Sequence, residues 1–231
     1  MVKIAYLTID DAPSSDFKRK VDYLYKQKIP AIFFCNGKLL EKRPQDIVYA
    51  IKKDFIIGNH AYSHPNFSKL TLKKYLEQIK RTDEIIEELY KKAGVKRPIK
   101  VFRFPYLEKG GANKKAIQET LKKLGYTQPK FKDINYKWYK KEGLNKDIDV
   151  YPSYDTYDWT VADKSYEFGI KSLEDLFARM NENVPEGCRG LNFKGSNEII
   201  MMHDDPRIKE MFIPMINKLK SKVKFKMPRL K

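Results

Sequence analysis

Histidine and cysteine are scarce in this chain of 231 residues, with 3 His and 2 Cys. Two cysteines cannot staple a small disulfide scaffold, and Cys35 and Cys188 stand at no zinc-ligand spacing. Cys35 lies in the apolar run AIFFC and reads as a small core residue; a pairing with Cys188 stays open. No apolar run approaches the roughly 18 residues of a membrane span, so no integral membrane segment is expected. The opening MVKIAYLTIDD reads as a strand, not as a basic stretch followed by an apolar one and a cleavage site. Gly110-Gly111 lacks the flanking pattern of a phosphate-binding loop, and neither an internal repeat nor a low-complexity linker is evident. Arginine is rare beside lysine, which argues against forked recognition of phosphates or bases, and no nucleic-acid partner is expected.

A hydrophobic content of 42% is too high for a wholly disordered chain. The length suits one domain over 1–231, since barrels of roughly 200–250 residues fold as single units. Lys+Arg 47 against Asp+Glu 30 leaves a net charge of +17 at pH 7. Lysine is spread along the chain, with denser stretches at Lys91–Lys100, Lys122–Lys141 and Lys218–Lys231. This basicity reads either as an ordinary solvated surface or as attraction to a polyanion such as an anionic cell wall.

Strand-like and helix-like segments alternate. KIAYLTID, AIFFCNG, DFIIGNH, IKVFRFPY, VYPSYD and NEIIMMHDD read as strands, and VKFKM as a closing one. Ser14 or Ser15 is expected to cap a helix with Phe17, Val21, Leu24 and Tyr25 on one face. Pro44 opens a short helix through Ile47, Val48 and Ile51; Thr71 caps a long one that Gly94 ends. Further helices are expected over NKKAIQETLKKLGY, over SLEDLFARMNENV and from Ile208 to Ser221. The alternation predicts βα units and a parallel sheet or barrel. The basic, aromatic segment 127–149 breaks it and reads as an inserted loop or small subdomain.

In a βα barrel the active site collects at the C-terminal ends of the strands. Those ends carry Asp10-Asp11, then His60 with His64 four residues on, then Arg103 and Tyr106, then Asp155, Asp158 and Trp159, and last His203, Asp204 and Asp205. All three histidines stand at strand ends, where scattered surface histidines would not. Taken singly, an acidic pair after a strand is a common turn or cap feature, and Trp159 fits a core or pocket wall. Two imidazoles and a carboxylate together form a usual divalent-metal set. Arg103, within an apolar run, is expected to be buried and to need a carboxylate partner.

At these residues the chain resembles a family. TIDDAPS at 8–14, HAYSHP at 60–65, RFPY at 103–106, DTYDW at 155–159 and IMMHD at 200–204 are similar to the five ordered motifs of the polysaccharide deacetylases, the NodB-homology domains of carbohydrate esterase family 4. The resemblance spans essentially the whole chain. It implies an α/β fold, a distorted (β/α)7 TIM-like barrel with a single NodB-homology domain. It further implies one divalent metal, most often Zn with Co, Ni or Mn as alternatives, on Asp11, His60 and His64. Asp10 would be the general base, held by Arg103; His203 would be the general acid, oriented by Asp158. The backbone N–H of Tyr106 would stabilise the oxyanion, and Trp159, Met201 and Pro105 would line the acetyl-sized pocket.

Three positions depart from the family pattern: Ala12 for Gly, Ala61 for Ser or Thr, and Met201 for Leu. None removes a proposed catalytic group. The expected activity is removal of N-acetyl groups from N-acetylglucosamine units of a polysaccharide, peptidoglycan first, by a monomer. Alternatives are O-deacetylation of xylan or hydrolysis of a small cyclic amide or imide at the same site, and, from another class, a non-catalytic polyanion-binding module. An iron oxygenase would share the ligand types but leaves Asp10, Arg103 and His203 without a role. Segment 127–149 is expected to shape the substrate groove, its Tyr136, Trp138 and Tyr139 either stacking on sugars or packing the loop down. Met1 as native start would imply the cytoplasm; a leader trimmed from upstream would imply the cell wall or the exterior.

Overall fold

Among the described residues, six strands supply the frame: β1 (Ile4–Ala12), β2 (Ala31–Cys35), β3 (Ile56–Asn59), β4 (Tyr154–Asp155), β5 (Glu198–His203) and β6 (Lys224–Phe225). This is a computed structural model, and it describes residues 2–230; Met1 and Lys231, the ends of the expected 1–231 domain, lie outside the described residues. The strands pair in parallel in the order β3-β2-β1-β5-β4, with β6 against Ile4 and Ala5 of β1. Between them run α1 (Phe17–Lys26), α2 (Gly37–Lys42), α3 (Pro44–Ile51), α4 (Leu72–Ala93), α5 (Lys114–Lys123), α6 (Lys137–Lys141), α7 (Asp158–Ala162), α8 (Leu173–Arg179) and α9 (Lys209–Lys220).

The barrel closes through segments shorter than the sequence suggests. IKVFRFPY contributes only an isolated bridge, Asn59 to Phe102, because β3 ends where the chain turns into the loop of His60 and His64. Val150 N–H then donates to the Phe102 carbonyl at 2.8 Å, and Ser153 N–H to that of Ile199 at 2.9 Å. A ring of backbone hydrogen bonds thus runs from β3 through 101–103 and 150–155 to β5. VYPSYD shrinks to Tyr154–Asp155, Pro152 having no N–H to give to a ladder.

Period-two alternation sorts the strands into two cores. Leu7, Ile9, Phe33, Ile57 and Met202 pack outward with Phe17, Leu24, Phe212 and Met215 of the helices. Tyr6, Ile32, Phe34, Val101 and Ile199 pack inward. Thr8 and Asp10 share the parity of Tyr6, so the same alternation that hides Ile9 turns Asp10 into the barrel.

The helices follow the sequence with three corrections. Asp16, not Ser14 or Ser15, stands at the cap of α1, and Ser14 instead donates its hydroxyl to Asp204 at 2.7 Å. Tyr25 is exposed, and Lys20 takes the buried place, its Nζ 2.5 Å from Asp204. Asn36-Gly37 does not merely stop β2: Gly37 opens α2, where a Cβ would come within 2.5 Å of the Tyr62 ring. Thr71 caps α4 and Gly94 ends it with φ of 70°. Cys35 and Cys188 are both free and buried.

Residues 131–136 of segment 127–149 lie at the N-terminal end of the barrel, Asp147 and Asp149 pair with Lys109 on the loop after Leu107, and no residue of the segment lines the cavity at the C-terminal end. Lys132 N–H donates to Tyr6 Oη, and Asn197 N–H to the Asp133 carbonyl. Tyr136 and Tyr139 are each 1% exposed, packed on Ile199 and Val150. The expectation that the segment shapes the groove is therefore corrected. Without this plug the inward side chains at that end would face water, and the tyrosines cover them.

Candidate active site

Asp11, His60 and His64 converge at the C-terminal end of the barrel, one ligand atom from each lying within 4.8 Å of the others. β1 delivers Asp11, whose φ of 61° bends the chain away from the ladder, and the loop after β3 delivers both histidines. Asp11 Oδ1 is 3.8 Å from His60 Nε2, 3.5 Å from His64 Nε2, and accepts from Asn36 Nδ2 at 2.8 Å. His60 Nδ1 lies 2.9 Å from the Arg103 carbonyl, an acceptor that fixes the proton on Nδ1 and leaves the Nε2 lone pair toward Asp11. His64 sits at φ of 53° and Ala61 at 63°; this loop is held to α4 by Gln78, whose Oε1 accepts from the backbone of Tyr62 and Ser63.

Burial and the neighbouring His60 push the His64 imidazole down to about 4, against the pull of Asp11. Burial alone would raise the Asp11 carboxyl, but His60, His64, His203 and the Asn36 hydrogen bond bring it below its ordinary value. His64 is thus a neutral imidazole and Asp11 a carboxylate, and two imidazoles with a carboxylate are a donor chemistry that fits a divalent cation.

Asp10 points inward beside this cluster. Arg103 is fully buried; its Nη1 donates to Asp10 Oδ1 at 2.7 Å and to Thr8 Oγ1 at 2.8 Å, and its Nε to the Val150 carbonyl at 2.9 Å. Arg103 thus holds Asp10 with its side chain and His60 with its carbonyl. Asp10 Oδ2 remains 3.9 Å from His60 Nε2.

His203 ends β5. Asp158 grips it twice, accepting the His203 backbone N–H on Oδ2 at 2.8 Å and pairing Oδ1 with ring Nδ1 at 2.7 Å. Burial would lower the imidazole, yet the charge and hydrogen bond of Asp158, with help from Asp11 and Asp10, raise it to about 10. It is held as a cation with Nε2–H available.

Asp10, Asp11, His60, His64 and His203 line one cavity of about 500 Å³, together with Tyr106, Trp159 and Met201. Arg103 and Asp158 lie behind that surface as supports. Pro105 is buried at the start of a single turn and does not line the cavity, a departure from the expected pocket wall; Phe104 before it and Tyr106 and Leu107 after it do. Asp155, noted in the sequence only as a strand-end acid, faces the cavity, and burial raises its carboxyl to about 6 despite His203. Sequence reasoning missed Asn36, Gln78, Tyr157, Phe168 and Arg207. Asn36 and Tyr157 each follow a strand, so the same positional signal marks them; Gln78, Phe168 and Arg207 belong to helices or turns with no such signal.

The profile of the family described as polysaccharide deacetylase matches residues 2–129, more than half of the chain. The chain belongs to the polysaccharide deacetylase family. A peptidoglycan-N-acetylglucosamine deacetylase of Bacillus cereus is 39% identical over 84 residues, an alignment that covers 36% of this chain and 30% of that relative, well under two thirds of its length. Among solved structures, a family 4 carbohydrate esterase from Streptomyces lividans in complex with acetate superposes with a TM-score of 0.64 at 21% identity, covering 95% of this chain and 87% of that one. A carbohydrate esterase family 4 pseudoenzyme from Bacillus anthracis superposes nearly as well, with a TM-score of 0.63 at 19% identity over 95% of this chain and 61% of that one. At these identities the likeness establishes the deacetylase fold, a TIM-like α/β barrel, and the pseudoenzyme illustrates that the fold alone does not carry activity.

Proposed function

We propose that this chain is a metal-dependent hydrolase that removes N-acetyl groups from N-acetylglucosamine units of a polysaccharide, with peptidoglycan as the substrate. The observation that supports it best is the meeting of an Asp11–His60–His64 cluster with a restrained carboxylate, Asp10, and a protonated imidazole, His203, in one cavity. A divalent cation on Asp11, His60 and His64, Zn or alternatively Co, Ni or Mn, would supply Lewis acidity at the scissile carbonyl and acidify the attacking water.

The chain's own residues account for the proton traffic. Asp10, fixed by Arg103, accepts a proton from the water whose oxygen bonds to the acetyl carbon. The backbone N–H of Tyr106 donates to the oxygen that gains charge. As the C–N bond breaks, His203 Nε2 gives its proton to the departing nitrogen, and Asp158 steadies the imidazole throughout. Acetate and an amino sugar result. An amine leaves an acyl carbon poorly unless it is protonated, whereas an alkoxide leaves more readily. A general acid held at about 10 therefore favours N-deacetylation over O-deacetylation. Trp159 and Met201 wall the space for the acetyl methyl.

The test is acetate release from chitooligosaccharides and from peptidoglycan. A chelator should abolish it, and added Zn or Co should restore it. Chelator-insensitive release, or normal activity of Asp10→Asn, would overturn the reading.

A further inference from the structure

Phe168 is 69% exposed. It lines the same cavity as Asp10 and His203. Its ring lies near-parallel to that of Tyr157, centroids 4.8 Å apart and planes 26° apart. The Arg179 guanidinium stands 3.7 Å from the Tyr157 centroid, too close for it and Phe168 to share one face, so Tyr157 is sandwiched between them. Arg179 is itself buried and tied to the carbonyls of Asp155 and Cys188 at 3.0 Å each. A rigid base therefore carries a three-layer stack whose last face, that of Phe168, is open to solvent. Tyr157 and Phe168 both have left-handed backbone, φ 58° and 57°, a conformation bulky residues adopt only at some cost. Glu167, the preceding residue, lines the cavity and forms no ion pair among the described residues.

We infer that Phe168 is a stacking platform for a pyranose ring of the glycan chain, the ring next to the N-acetylated unit being hydrolysed. The apolar C–H face of a pyranose matches an open aromatic face, and the Glu167 carboxylate beside it can accept from sugar hydroxyls. Asp163, Glu167 and Asp205 outnumber Arg207 at the rim, and Arg207 is already engaged by Asp163 and Asp205, so the rim disfavours a ring that carries a negative charge. The inference rests on the deacetylase reading for the identity of the glycan, but the platform does not take part in the proton transfers.

The test compares the wild type with Phe168→Ala and Phe168→Trp on N-acetylglucosamine, which has no neighbouring ring, and on N-acetylated chitopentaose. The gain in kcat/KM from the shorter to the longer substrate should fall about tenfold in F168A and be kept in F168W, the size expected for one lost aromatic contact. An unchanged melting temperature in F168A separates this from misfolding. Equal chain-length dependence in wild type and F168A overturns the platform. Stopped-flow quenching of tryptophan fluorescence by chitopentaose gives binding independently of turnover. Wild-type protein that binds about tenfold more tightly than F168A, yet releases no acetate, would sink the deacetylase reading and keep the platform. Equal binding by the two sinks the platform whether or not acetate is released.

Discussion

The two ends of the barrel have cavities of nearly equal size, about 500 Å³ at the C-terminal end and about 490 Å³ at the N-terminal end, but opposite chemistry. Each end also has a buried carboxylate facing a cation. At the N-terminal end Glu198 is saturated: Lys3 Nζ, Tyr136 Oη and Ser153 Oγ all donate to it. At the C-terminal end Asp10 has Arg103 on one oxygen and open space beside the other. A carboxylate whose acceptor sites are filled can only hold structure, whereas one restrained on a single side can take a proton. Both carboxylates are buried beside a cation; what separates them is the unfilled hydrogen-bonding capacity of Asp10.

The largest effect should come from Asp10→Asn. General acid–base contributions run to about 10²–10⁴-fold, and acetate release should fall by about a thousandfold. The mirror-image change, Glu198→Gln, should leave turnover per folded molecule nearly intact and instead cost about 3 kcal/mol in denaturant unfolding, because it strands Lys3 without its counter-charge. If Glu198→Gln stopped turnover while the fold held, the contrast between the ends would break.

Next in size is Asp158→Asn. With His203 held at about 10, the alkaline limb of kcat should lie near that pH in the wild type. Loss of Asp158 should draw it toward the ordinary imidazole value of about 6.5, so that kcat at pH 8 falls about 30-fold. The linkage has a matching sign. A histidine raised from about 6.5 in the unfolded chain stabilises the fold fully below that pH and loses the contribution as pH rises toward 10. An alkaline limb that Asp158→Asn leaves in place would remove His203 as the acid.

The smallest effect belongs to the plug. Tyr136→Phe removes donations to Glu198 and to the Gly190 carbonyl, and about 1–2 kcal/mol of stability should go with them. The KM for chitooligosaccharides should stay within a factor of two. A larger change would return segment 127–149 to the substrate side.

Much of the catalytic end was legible in the sequence because chemistry there is written at strand ends. Asp10, Asp11, His60, Arg103 and His203 each follow or interrupt an apolar run, and strand parity alone turns Asp10 inward. Lys20 and Gln78 were not legible as supports of the site, since each owes its role to a partner distant in the chain: Lys20 to Asp204, Gln78 to the His60–His64 loop. The tyrosines of 127–149 misled for a related reason. An aromatic cluster in a polar segment has the same composition whether it meets sugar or the floor of a barrel.

The alternation of apolar residues determined, without any structure, the parallel βα frame and the end at which reactive groups gather, because period and side-chain direction are local properties of the backbone. Only the tertiary structure decided which carboxylates have spare acceptor sites, which end segment 127–149 covers, and that Phe168 stands open on a buried arginine. Those depend on which distant atoms fill the space around a group, and no local pattern encodes that.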